Sequence, residues 1–333
     1  MNQMPRRTLL AAPLLAAPLL LPASGARAQG ANQPAWPDRP VKLVVPFPPG
    51  STPDIAARAV GQHFTQAFGQ PFVAESRSGA GGNLGTDAVA KATDGHTLGV
   101  SINGPLTTAP ALYPALPYDP ARDLVPISQL VRMAQFLVVH PAVPARDFAQ
   151  FVAHAKANPG KLSFGSVGAG SAGHLAMEDF MARSGTRLLH VPYRGFPPAV
   201  VDLVAGRIDA MLVSAAAILP QLGGDQVRGL AVTAAARLRQ APTVPTLAEC
   251  GMAGAESYAF IGLIGPAGTP PERVARLAAE ARRGLEAPSV RGAMEQAGFE
   301  VVGSDPAAFG AFLAAERERW VPLIRRLGIT AEG

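Results

Sequence analysis

The chain has 333 residues, of which 48% are hydrophobic and 16% charged, and its mean hydropathy is +0.18. This much apolar side chain can bury a core, which excludes a disordered chain. The formal charge is +5, but Arg6, Arg7 and Arg27 all precede residue 29, which leaves 26 basic against 24 acidic residues beyond it. So small an excess of positive charge does not indicate a nucleic-acid-binding protein. The single cysteine, Cys250, excludes an intramolecular disulfide.

Residues 1–28 have a basic start, an apolar middle and a small-x-small end, the pattern of a secretory signal peptide. The apolar stretch at 9–21 is shorter than the roughly 20 residues that cross a bilayer, and prolines interrupt it. We therefore predict cleavage near Ala28 and a soluble product in the periplasm. Arg6 and Arg7 fit a twin-arginine signal, but a Sec signal also carries basic residues there, so both export routes stay open.

Beyond the leader, short β-branched runs alternate with longer helical patterns. Strands are predicted at 41–47, 70–76, 96–102, 161–167, 187–193, 208–214 and 227–233, and helices follow Pro53 and Leu84 and fill the Ala-rich stretches between the later strands. Such alternation indicates parallel strands with helical crossovers, which is the α/β class. The two series of strand and helix predict two lobes with parallel-rich sheets flanked by helices.

Two long apolar runs, at 125–141 and 256–266, suit extended chain that crosses between the lobes. We therefore predict a discontinuous lobe 1 (36–133 plus 260–333) that ends in two helices, at 271–286 and 306–326. Lobe 2 is predicted at 134–259, with hinge crossovers near 131–139 and 256–264.

Two segments repeat the order strand, Gly/Ser/Pro loop, helix. The N–H groups of a helix's first turn, together with its positive dipole end, form a site for an anion, so two such loops could hold a carboxylate from both sides. The candidate residues are Gly50, Ser51, Thr52 and Asp54 in the first loop and Ser166, Gly168, Gly170, Ser171 and His174 in the second. Helix caps and tight turns are the alternative interpretation.

A third glycine-rich loop, with Gly82 and Asn83, precedes a helix, and Asn103 ends a strand. Ligands lie at such strand ends in open parallel sheets, although turn chemistry explains both asparagines equally well.

Three enzyme readings find little support. GAGSAG at 168–173 matches a dinucleotide loop, but the strand after it ends without the expected acid. Ser171 sits in a near nucleophile elbow, yet no histidine follows residue 190 to act as its base. The six histidines are scattered along the sequence and Cys250 stands alone, so no metal site is predicted. We expect no catalytic residue and no cofactor.

Seven segments in order, among them VKLVVPFPPGSTPDIAARAVGQHF, SGAGGNLGTDAVAKATDGHTLGV, FGSVGAGSAGHLAMEDF and VPYRGFPPAVVDLVAGRIDAML, resemble the TctC or Bug family. These are periplasmic solute-binding proteins of tripartite tricarboxylate transporters, and the resemblance covers nearly the whole chain after the leader. It implies a type II, Venus-flytrap periplasmic-binding-protein fold that closes on a small organic anion.

By motif position, the resemblance implies ligand contacts from Phe47, Pro49, Gly50, Ser51, Thr52 and Asp54 and from Ser166, Gly168, Gly170, Ser171 and His174. Asp54 fits a structural role at the helix start equally well. Ser51 replaces a family glycine, and Val213, followed by Ser214, stands where relatives often have an aspartate that faces the ligand. We therefore predict a neutral-sided or aromatic carboxylate, or a dicarboxylate, and not an α-amino acid.

The predicted function is a monomeric receptor that delivers a small organic anion to membrane permease subunits, without nucleic acid. A receptor that feeds a sensory pathway is the alternative. An exported nucleotide-dependent oxidoreductase or a hydrolase is the least favoured.

Overall fold

A computed structural model of the protein describes Met1 and residues 36–222, 224 and 226–331. The predicted signal peptide lies outside these residues. Within them, no helix has the length and apolarity that crossing a bilayer requires.

The strands of the described residues are β1 (Val41–Val45), β2 (Phe72–Ser76), β3 (Thr97–Ile102), β4 (Leu124–Val139), β5 (Ser163–Ser166), β6 (Leu189–Pro192), β7 (Ala210–Ser214), β8 (Arg228–Val232), β9 (Tyr258–Pro266) and β10 (Glu300–Val301). The helices are α1 (Thr52–Phe68), α2 (Asn83–Ala90), α3 (Ala109–Leu112), α4 (Phe148–Ala157), α5 (Ala172–Ser184), α6 (Phe196–Val204), α7 (Ala215–Leu222), α8 (Pro271–Glu286), α9 (Pro288–Gln296) and α10 (Pro306–Leu327). Every predicted strand is confirmed, and so are the two C-terminal helices.

The strands form one sheet in the order β2-β1-β3-β9-β4-β7-β5-β6, with β8 and β10 also paired to β4. The pairs at both flanks, such as β1 with β2 and β5 with β6, are parallel. Every pair that involves β4 or β9 is antiparallel. The α/β class is therefore confirmed, but the sheet is mixed, because the two long crossing strands run against their neighbours.

β4 changes partners along its length. Residues 124–134 pair with β9, whereas residues 135–139 pair with β7 and β8. The predicted crossover at 131–139 contains this change. The division into two lobes at these points stays a proposal.

Side chains alternate across the sheet, so each half is covered on both faces. On β4, Leu137 and Val139 pack into one apolar cluster with α4 and α5, while Phe136 and Val138 join another beneath α6. The other half packs on α1 and α8 through one face and on α10 through the opposite face. These clusters fix where the loops at the strand ends lie.

Two helices begin alike, and both point into the middle of the molecule. Ser51 and Ser171 precede α1 and α5 with extended backbone, at φ −71° and −63°. Pro53 fits the first turn of α1 because that position needs no N–H group. Each helix ends at a glycine in the left-handed region, Gly69 and Gly185.

Candidate functional site

The N-termini of α1 and α5 meet at one cavity. Its lining comes from both halves of the sheet and from both helix starts. The lining residues are Phe47, Ser51, Thr52, Pro53, Ile102, Asn103, Met133, Gln135, Val167, Ser171, Ala172, Gly173, Phe196, Ala259, Phe260 and Ile261. None of these is charged, so the attraction for an anion must come from helix N–H groups and side-chain dipoles.

The two capping serines differ in how their hydroxyls are used. Ser171 Oγ accepts a hydrogen bond from the backbone N–H of His174, so it caps α5. Ser51 makes no side-chain cap, is 2% exposed, and its Oγ finds no hydrogen-bond partner among the described residues. A buried hydroxyl without a partner is costly, and Ser51 Oγ is free to bond a group that enters the cavity.

Asp54 serves the first loop and not the cavity. Its Oδ2 accepts from the N–H of Gly50 at 2.9 Å and from Nε of Arg58 at 2.9 Å. These bonds hold the turn before α1, with Gly50 in the left-handed region at φ +78°. The structural reading of Asp54 therefore accounts for its contacts.

The second loop rests on two stacked histidines. The rings of His174 and His190 are 4.0 Å apart and nearly parallel, at 11°. His174 Nδ1 accepts from the N–H of Gly170 at 3.0 Å, and Nε2 of His190 lies 2.6 Å from Ser166 Oγ. Burial, aided by the neighbouring His174, lowers the pKa of His190 to about 3.

The histidines are scattered along the sequence, but the fold stacks His174, in the first turn of α5, on His190 of β6. The pair does not make a metal site: the described residues contain no group of three or more His, Cys, Asp or Glu that could hold an ion. Nor does Ser166 with His190 resemble an activated nucleophile, since a histidine of such low pKa is a weak base at neutral pH.

Glycines let the loops of the two halves approach closely. A Cβ on Gly168 would lie 2.9 Å from Gly81 Cα, and one on Gly170 would lie 2.2 Å from Leu112 Cδ1. Thr108 Oγ1 donates across the same junction to the carbonyl of Gly170 at 3.2 Å. The loops of the two halves are thus in direct contact.

Asn83 and Asn103 mainly make hydrogen bonds within the protein. Asn83 accepts from the hydroxyl of Tyr118 at 2.7 Å and does not line the cavity. Asn103 does line it, but its amide is engaged: Oδ1 accepts from the N–H of Phe260, and Nδ2 donates to the carbonyl of Tyr258. Gly82 packs against the ring of Phe47.

Gln135 is the functional candidate that sequence reasoning missed. It lines the cavity, is 1% exposed, donates through Nε2 to Ser257 Oγ at 3.3 Å, and leaves Oε1 without a partner among the described residues. A glutamine in the apolar run 125–141 was the available signal, because a buried amide requires partners. Met133 and Phe196 were missed too, since apolar lining residues look like core in a sequence.

The structure brings five of the sixteen predicted site residues to the cavity. These are Phe47, Ser51, Thr52, Asn103 and Ser171. The others lie in the supporting loops or the core: Pro49, Gly50, Asp54, Gly82, Asn83, Ser166, Gly168, Gly170, His174, Val213 and Ser214. Val213 is fully buried in an apolar cluster, and Ser214 pairs with Gln135 across β4 and β7.

A mixed sheet joined through long shared strands, with two helix starts facing one cavity, is the architecture of periplasmic solute-binding proteins. Residues 56–329 match the family described as "Tripartite tricarboxylate transporter family receptor", TctC. The chain belongs to this family, as the sequence resemblance predicted.

Three relatives illustrate the match. The "UPF0065 protein in tcbD-tcbE intergenic region" of Pseudomonas sp. (strain P51) is 42% identical over 308 residues, 92% of this chain and 91% of that protein. A Rhodopseudomonas palustris protein solved with adipate is 34% identical, with a TM-score of 0.85 over 89% of this chain and 99% of its own. MatC of Rhodopseudomonas palustris, solved with bound malate, is 32% identical, with a TM-score of 0.82 over 86% and 99%. The type II periplasmic-binding fold is thereby confirmed.

Proposed function

We propose that this protein is a receptor that encloses a small organic carboxylate and performs no chemistry on it. The observation that carries the proposal is Ser51 Oγ, a buried hydroxyl without a partner among the described residues, beside two helix N-termini at one cavity. N–H groups, a hydroxyl donor and two dipole ends suit a carboxylate oxygen. The adipate and malate in the related structures support the same ligand class.

The mechanism is closure of two lobes, 36–133 plus 260–333 and 134–259, about the segments near 131–139 and 256–264. A ligand held by both helix starts contacts both lobes at once, so it binds the closed state better than the open one and shifts the population towards closure. The partner change within β4 and the start of β9 at Tyr258 support hinges at these positions.

The family supports the rest of the proposal. A tripartite transporter receptor works with membrane permease subunits, which we propose as the partners of a monomeric, periplasmic protein without a cofactor. Cleavage of the leader near Ala28 and the choice between Sec and twin-arginine export stay predictions.

A thermal-shift screen of the chain from residue 29 tests the function, with mono-, di- and tricarboxylates, amino acids and nucleotides. A ligand at 100 times its Kd adds about 2.7 kcal/mol, enough to move Tm by several degrees. Stabilisation by a carboxylate and by no nucleotide supports the receptor. If only nucleotides stabilise the protein, GAGSAG is a cofactor loop and the proposal is wrong. A separate ester assay tests the hydrolase alternative: if the purified protein hydrolyses esters, it is an enzyme.

A further inference from the structure

The cavity lining contains few polar side chains and many apolar ones. Donors come from the starts of α1 and α5, with the hydroxyls of Ser51, Thr52 and Ser171. The Gln135 amide donates to Ser257 Oγ, and its free atom is Oε1, an acceptor. Carbon atoms supply most of the remaining lining, which includes Phe47, Ile102, Met133, Val167, Phe196, Phe260 and Ile261. The donors can thus bind one anionic group, and the rest of a ligand would contact apolar side chains.

A third helix start reaches the cavity but offers little to an anion. α6 begins at Phe196, whose side chain lines the cavity, and its next two residues are Pro197 and Pro198. Proline has no N–H group, so two of the donors that a helix start normally presents are missing. Arg194, two residues before Phe196, is exposed and does not line the cavity.

The Asn103 side chain, which also lines the cavity, is already engaged. Both ends of the Asn103 amide are bound to backbone groups of β9, and Nδ2 also lies 3.4 Å from Oε2 of Glu316. Glu316 sits behind Asn103 and accepts from Nε1 of Trp320. An acidic group at this position gives no attraction for a second carboxylate.

The loops that carry Phe47 and Phe196 face each other. Pro48 Cδ lies 3.3 Å from the position that a Cβ on Gly195 would take, so a side chain there would require Pro48 to shift by a few tenths of an ångström. The space left free in the cavity is about 20 Å³, little more than a single water molecule needs. So little room between apolar walls favours a compact ligand body, for which the walls must move apart.

We propose that the cavity selects a monocarboxylate with a compact apolar body, and that a second carboxylate on the same skeleton is excluded. This inference rests on the proposed receptor function. The physical reason is desolvation, because a second carboxylate would lose its water without gaining a charged or donor partner, and that loss costs several kcal/mol.

Matched acids that differ only in the second carboxylate test the inference by titration calorimetry. The pairs are butanoate with succinate, hexanoate with adipate, and benzoate with terephthalate, with malate and glutamate as polar acids. We expect at least one monocarboxylate to bind, and to bind at least about 100-fold more tightly than its dicarboxylate partner. If a dicarboxylate or a polar acid binds best, the inference is wrong and the receptor function stands. If no carboxylate binds, both are wrong.

Two arginine variants on α6 test the same point by gain of function. F196R places a cation in the lining, whereas V201R places the same charge on the same helix at a residue that is 61% exposed. A charged hydrogen bond adds about 10- to 100-fold in affinity, so we expect F196R to gain adipate or terephthalate binding by at least about tenfold. V201R should bind like the native protein. Equal gains in both variants would show a general charge effect and would refute the assignment of Phe196 to the ligand's apolar end.

Discussion

Ser51 and Ser171 occupy equivalent positions before two helices, and their hydroxyls predict opposite effects on the ligand-free protein. Ser171 Oγ caps α5, so S171A should lower the free energy of unfolding by about 1 kcal/mol. Ser51 Oγ is buried without a partner among the described residues, so S51A removes a penalty and should leave stability unchanged or raise it by up to about 1 kcal/mol. For a folded chain of roughly 300 residues, at about 2.1 cal/mol/K per residue, that gain corresponds to about 1.5 °C in Tm.

S51A should weaken ligand binding, although it leaves the ligand-free protein equally or more stable. A hydroxyl that donates to a carboxylate contributes about 1.5–3 kcal/mol, so S51A should weaken binding of the screened carboxylate by about 10- to 100-fold. Differential scanning calorimetry without ligand, followed by titration calorimetry with it, measures both quantities in both variants. If S51A is destabilised as much as S171A and binds the carboxylate as well as the native protein, Ser51 is a structural cap and the site argument fails.

Two further predictions concern acid sensitivity and closure. His190 has a pKa of about 3 in the folded protein and about 6.5 in the unfolded protein, so the unfolded state binds the proton first as pH drops. The free energy of unfolding therefore falls between about pH 6.5 and pH 3. By pH 5 the loss is about 2 kcal/mol. H190Q should remove that part of the slope in urea titrations at pH 7 and 5, and an unchanged slope would contradict it. G170A should impair closure, because its Cβ would meet Leu112 Cδ1 at 2.2 Å, and therefore weaken carboxylate binding. G185A is the control, since Gly185 has a similar positive φ with no atom within 4 Å; equal binding losses in both variants would refute the role of the loop contact.

The sequence predicted the elements well because local patterns dictate them. Strands such as Val41–Val45 are β-branched runs between turns, and α8 (Pro271–Glu286) is a strongly amphipathic stretch that begins with proline, so short-range chemistry is sufficient. The shared role of β4 was visible as a long apolar run. The short strand β10 was not predicted, because two residues carry no periodicity.

The site was harder to predict, because which residues meet depends on the tertiary structure. Ser51 and Ser171 were predicted because a helix start is readable from the loop before it. Gln135 was missed because its place at the cavity depends on the tertiary structure. β4 runs through the centre of the molecule, and the Gln135 amide there faces the start of α5. Val213 was expected near the ligand, yet the alternation of β7 turns its side chain into the apolar cluster under α6.

The place of β9 in the sheet has a consequence for the order in which the chain folds. β9 (Tyr258–Pro266) lies between β3 and the first part of β4, so those two strands lack their shared neighbour until residue 266 has been synthesised. Unpaired strand edges invite wrong partners. A nascent chain truncated before residue 258 therefore exposes two unpaired strand edges, those of β3 and of the first part of β4, which β9 covers once it has been synthesised.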